Sequence, residues 1–118
     1  MIVIKDNTVR DKSKAFALRI VKLYQYLCAE KKEYVMSKQA LRSGTSIGAN
    51  VREGTRAQSR AEFIAKMSIA LKEADETLYW LELLHESEYL EDSLFQSMYT
   101  DCEELIRLLV AIIKNSKP

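Results

Sequence analysis

At 118 residues, 47% hydrophobic and 30% charged, the chain is long enough for one sizeable core, and its composition excludes both a disordered and a membrane-embedded protein. Three glycines and one proline, the proline last, leave little to interrupt a helix and disfavour a β-rich fold. The formal net charge of +1 conceals a polarity: residues 1–60 carry 13 Lys/Arg against 5 Asp/Glu, a net of +8, whereas residues 61–118 carry 5 against 12, a net of −7.

In chain order, Met1-Ile2-Val3-Ile4 is cut off at once by Lys5 and Asp6. That run is too short for a signal h-region, and no later stretch approaches membrane-spanning length. Residues 1–11 follow no helical or strand period and are expected to form an arm ahead of a bundle domain over 12–118. Apolar steps of three and four then predict a first helix over 12–32, on Phe16, Ile20, Leu23 and Leu27. A second is predicted over 36–54, on Leu41, Gly44, Gly48 and Val51, ending at a left-handed Gly54. The third, over 60–86, is carried by Ile64, Met67, Leu71, Ala74, Leu78 and Leu81, and Ser59-Arg60-Ala61-Glu62 reads as its capping box. The fourth, over 91–115, is carried by Phe95, Met98, Cys102, Leu105, Leu109 and Ile112. Short connections favour antiparallel neighbours, hence an all-α, up-down-up-down four-helix bundle. Cys28 and Cys102 stand alone on apolar helical faces, as buried free thiols of a reducing, cytoplasmic compartment do.

Helix two is the unusual one. Two interior glycines cost about 1 kcal/mol each relative to alanine. Gly44 and Gly48, with Ala40, therefore suggest a shallow seam that another helix approaches closely. Away from the seam, Lys38, Arg42, Arg52, Arg56 and Arg60 fall within about 80° of one another if the helix continues. A basic ladder of this kind contacts phosphates by releasing counterions, or else forms a solvated face or pairs with the acidic helices. Beside it runs a polar stripe of Gln39, Ser43, Ser46, Asn50 and Glu53. No base stands near Ser43 or Ser46 in sequence, so a hydrogen-bond network between helices or subunits is the better reading.

On helix three, Ile69, Trp80 and Leu83 lie opposite the core seam and mark an oligomer interface, unless the helix is more enclosed than that seam implies. The bipolar charge attracts polyanions to one half, or copies head to tail, or sets basic helices beside acidic ones within the protomer. Glu82-Leu83-Leu84-His85 has the Glu-x-x-His form of di-iron bundles, but the chain has a single histidine and such sites need two pairs. No metal site, cofactor or catalytic residue is expected.

The run Arg42-Ser43-Gly44-Thr45-Ser46-Ile47-Gly48-Ala49-Asn50 with Glu53-Gly54 resembles the signature of the four-helix-bundle family of 23S rRNA-intervening-sequence proteins, the so-called S23 family. Ser59, Phe63, Ala70, Lys72, Glu73, Glu76, Thr77, Tyr79, Trp80 and Leu81 extend the likeness along helix three. A relative in the wider superfamily is the accessory variability protein of diversity-generating retroelements. The resemblance implies a protomer without enzymatic activity that assembles into a homopentamer. By analogy with the retroelement relative, its partners would be RNA or DNA and a reverse transcriptase or other protein. Arg52 departs from the small residue expected between Asn50 and Glu53, so the basic ladder is partly individual to this chain. Two functions follow as expectations: a homo-oligomeric nucleic-acid-binding accessory protein, or a protein-interaction scaffold whose charges serve assembly.

Overall fold

The structure, a computed structural model, describes residues 8–117. Four helices follow one another: α1 (Thr8–Glu30), α2 (Met36–Thr55), α3 (Arg60–Glu86) and α4 (Asp92–Ser116). Helices two to four match the sequence expectation to within a residue or two. Helix α1 begins four residues early, so residues 8–11 of the expected arm are helical, and the rest of that arm lies outside the described residues. The reason is Val9, which is buried about two turns ahead of Phe16 and extends the apolar stripe.

The helices form an elongated up-down-up-down bundle of 46 × 19 × 18 Å. Each packs on its neighbours in sequence, and α1 and α4 meet most lightly. Of the expected seams, Leu41, Ile64, Leu71, Leu78, Phe95 and Ile112 are only partly buried and pack at the edge of the core, whereas Phe16, Ile20, Leu23, Leu27, Val51, Met67, Ala74, Leu81, Met98, Cys102, Leu105 and Leu109 are buried within it. Ile47, Phe63 and Leu84, outside those seams, join them.

Gly44 is where α2 leaves least room for a side chain against α1. A Cβ there would stand 2.7 Å from Ile20 Cγ1 and 2.9 Å from Cγ2. Gly48 faces the backbone of Ser13, but at an ordinary 3.4 Å. Gly54 departs from expectation. It lies inside α2 without a positive φ, and a Cβ would sit 2.5 Å from Met67 Cε. Its small size admits Met67 of α3; the left-handed turns are made instead by Lys32 and Glu88.

Ser59 caps α3 as expected, its Oγ accepting from the Glu62 amide at 3.0 Å, while the Glu62 carboxylate accepts from the Gln58 amide at 3.1 Å. The start of α2 is capped by a residue the periodicity does not single out. Glu33 accepts from the amides of Val35, Met36 and Ser37 at 3.1, 3.0 and 2.7 Å, and its carbonyl accepts from the Ser37 hydroxyl. Burial alone would raise the Glu33 pKa, but these donors outweigh it and hold the carboxyl below its usual range.

The charge polarity is partly resolved within the protomer. Lys12 pairs with Glu104 at 2.9 Å and Arg19 with Asp101 at 2.7 Å, joining basic α1 to acidic α4. Arg42 reaches Glu73 and Glu76, joining α2 to α3.

Candidate nucleic-acid interface

The basic ladder does not persist as one stripe. Helix α2 stops at Thr55, so Arg56 is its C-cap and Arg60 opens α3. The chain turns there because the Arg56 amide bonds to the Glu53 carbonyl and the Ala57 amide to Gly54, and Ala57 buries itself. Arg42 is not free to meet a phosphate. Its guanidinium bonds to Glu76, which raises its pKa, with Glu73 adding to the effect. Lys38 is exposed, but about 21 Å from Arg52 along the helix by the rise per residue.

Arg52 and Arg56 do converge, and on partners from another helix. A cavity of about 340 Å³ between α1 and α2 is lined by Arg10, Lys14, Ala17, Thr45, Gly48, Ala49 and Arg52. A second, of about 370 Å³, shares Arg10, Lys14 and Arg52 with it and adds Asp11, Thr55 and Arg56. The two are thus contiguous, at the start of α1 and the end of α2. Arg52 accordingly lies beside Gly48 and lines the same groove, instead of projecting away from the glycine seam. Lys14, Arg52 and Arg56 have no ion-pair partner among the described residues. Arg10 has only a long contact of 3.8 Å with its neighbour Asp11. Arg10 and Lys14 are absent from the sequence-based site because no helical period on α2 can reveal what α1 sets against it. Their i, i+4 spacing in a basic half was the available signal.

Two of the five residues of the polar stripe, Ser43 and Glu53, hold α2 to α3. Thr77 Oγ1 donates to Ser43 Oγ at 2.8 Å, and Ser43 bonds onward to the Ala40 carbonyl, all buried. Glu53 pairs with Lys66 of α3 at 2.7 Å. Ser46 and Asn50 bond back to α2 carbonyls. Neither serine meets a general base.

On α3, Ile69 is 40% exposed, but Trp80 and Leu83 are half-buried. Trp80 packs against the core edge and its Nε1 donates to Glu76 at 2.9 Å. The exposed aromatic on this side is Tyr79, 53% exposed and edge-on to Trp80 with ring centroids 5.1 Å apart. His85 stacks on Phe95 at 4.0 Å and bonds to Asp92 at 2.7 Å. Among the described residues no cluster of three or more His, Cys, Asp or Glu is placed to hold a metal, and no helix is long and apolar enough to cross a membrane.

A family model described as 23S rRNA-intervening sequence protein matches residues 5–111. The chain belongs to that family. Among solved structures it is similar to a protein with unknown function from the S23 ribosomal protein family of Bacteroides thetaiotaomicron VPI-5482. The two are 60% identical with a TM-score of 0.92, over 94% of this chain and 99% of that one. No curated protein matches. In this S23-family chain, the helix-two residues that carry the resemblance have a packing role. Gly44 admits Ile20, Gly48 faces Ser13, Ser43 bonds Thr77, and Arg42 ties α2 to α3. In this chain those residues therefore serve largely to fit α2 to its neighbours, and the groove cations Arg10, Lys14 and Arg56 are not among them.

Proposed function

We propose that this S23-family protein is a non-enzymatic, homo-oligomeric accessory protein that binds RNA or DNA through a basic surface. The observation that carries the reading is the convergence of Arg10, Lys14, Arg52 and Arg56 on two contiguous cavities with one acid, Asp11. Cations without intramolecular partners have not been neutralised by the fold, so their field acts outward. A likeness to the accessory variability protein of retroelements supports the same reading and adds a reverse transcriptase as a candidate protein partner. The outward side of α3, with Ile69 and Tyr79 exposed beside half-buried Leu83, supports a self-interface. A heterologous contact there closes into a ring, and we propose a pentamer.

Binding is tested by fluorescence anisotropy on labelled RNA and DNA from about 50 to 200 mM salt. Four phosphate contacts per protomer give a log–log salt slope of about −3. Replacing both Arg52 and Arg56 by Gln should reduce that slope by about half and leave the oligomer's mass unchanged. Light scattering should give about 68 kDa, five times the 13.6 kDa protomer, and Tyr79→Ala with Leu83→Ala should lower it. An oligomer that binds neither nucleic acid at 50 mM salt favours the second reading, a protein-interaction scaffold. The specific observation behind that alternative is the engagement of Arg42, Arg19 and Lys12 in ion pairs between helices.

A further inference from the structure

We infer that the groove between the start of α1 and the end of α2 is a seat for one nucleotide of a single strand. Arg10, Lys14, Arg52 and Arg56 meet that nucleotide's phosphate and the phosphates flanking it along the strand, and the sugar and base rest on Ala17, Gly48 and Ala49. The inference rests on the nucleic-acid reading above and specifies its ligand.

The groove is built in two unlike halves. One half has a floor of two alanines and a glycine, with Thr45 at its side. Thr45 already donates its hydroxyl proton to the Leu41 carbonyl at 2.7 Å, so it presents carbon and a lone pair. The other half is cationic, with Thr55 and Arg56 added, and Asp11 leaves it a formal surplus of three positive charges. Arg10, Lys14 and Arg52 line both. A ligand that fills the pair must therefore be anionic at one end and flat or apolar at the other.

A bare phosphate satisfies only the cationic half. A duplex brings phosphates too, but its bases are stacked inside and leave the alanine floor empty. Its width also exceeds a groove between two helices whose axes stand about 8–10 Å apart. Volumes of about 340 and 370 Å³ sit at the lower end of the roughly 300–1,000 Å³ typical of small-molecule sites. That is room for a nucleotide. No aromatic ring lines the groove, so the planes available for stacking are the guanidinium groups of Arg10 and Arg52. With Thr45 and Thr55 both donating to α2 carbonyls, neither has a proton left for a base edge and the cations are committed to phosphate and stacking, so binding should tolerate sequence change.

The test is anisotropy with the full chain at about 50 mM salt, using labelled oligo(dT), a duplex of equal length, and an abasic oligodeoxynucleotide. We expect oligo(dT) to bind at least tenfold more tightly than either of the others. Ala49→Leu fills the floor at an exposed helical position without changing charge. It should weaken oligo(dT) binding about tenfold and leave duplex binding within about twofold, with helicity and mass unchanged. Equal affinity for the abasic and dT oligomers with the wild-type protein overturns the seat, whatever the variant does, and so does a preference for duplex. Both of those outcomes leave nucleic-acid binding intact. Failure of all three probes to bind removes the broader reading and this one together.

Discussion

Gly44→Ala introduces one methyl group where α2 meets the Ile20 side chain of α1. Its Cβ would stand 2.7 Å from Ile20 Cγ1, 2.9 Å from Cγ2 and 3.1 Å from Cδ1. Ile20 is 1% exposed and β-branched, so it has no alternative rotamer into which to retreat. Overpacking of this kind costs about 1–3 kcal/mol. Replacing glycine inside a helix returns about 1 kcal/mol. The net expectation is a loss of about 1 kcal/mol, or a Tm lower by about 4 °C for a chain of this size. Gly48→Ala is the internal control, because its Cβ meets Ser13 at an ordinary 3.4 Å. It should keep the propensity gain and raise stability by about 0.5–1 kcal/mol. A third arm uses Ile20→Ala, which removes all three clashing carbons. In that background Gly44→Ala should become stabilising, a coupling of about 1–3 kcal/mol in a double-mutant cycle. Thermal and urea unfolding would be followed by circular dichroism at one fixed protomer concentration, because association shifts the midpoint. If Gly44→Ala matches Gly48→Ala in stability, or if the cycle shows no coupling, close approach is not what these glycines are for.

Two further expectations concern ionisable groups. Glu33 has its folded pKa lowered by three amides and the Ser37 hydroxyl against the opposing effect of burial. Its stabilisation is therefore fully present above the unfolded value near 4.5 and is lost as pH falls through the folded one. Glu33→Gln should cost about 1–2 kcal/mol at pH 7 and flatten the acid limb of the stability curve; an unchanged acid limb would contradict the cap. Cys102 is buried, donates to the Ala74 carbonyl at 3.3 Å, and has its thiol pushed up to about 12 by burial, with Asp75 and its acidic neighbours adding. A thiol reagent at pH 8 should find at most one reactive cysteine in the native protein, the half-buried Cys28, and two after denaturation. Two fast native thiols would refute that packing.

The helices and their inward faces were legible because a period of 3.6 is a local property. Phe16 to Leu27 and Met98 to Leu109 announce a buried stripe whatever lies opposite. What lies opposite is a non-local property, which a helical period does not encode. Lys38 to Arg60 looked like one ladder only while α2 was allowed to run on. The bend at Arg56, set by Ala57 turning inward, cuts it. Arg42 looked free because Glu73 and Glu76 lie more than thirty residues away, on a helix whose rotation the sequence does not state. Arg10 and Lys14 carry no local mark for the same reason, since their role comes from meeting Arg52 across the groove. Glu33 was invisible to periodicity because it belongs to no helix, and its three amide bonds depend on the loop's path.

The joint between α2 and α3 has an optical consequence. Trp80 is the chain's one tryptophan, and its indole shares the Glu76 carboxylate with Arg42. Emission from the whole protein therefore comes from a chromophore whose polar contact is a single, charge-balanced oxygen. A polyanion that draws the Arg42 guanidinium away leaves that oxygen's charge uncompensated and shifts the indole's spectrum. A polyanion lodged between α1 and α2 does not touch this pair and leaves the spectrum as it was. Unlabelled protein thus carries a built-in means of telling which of its basic faces a ligand has occupied.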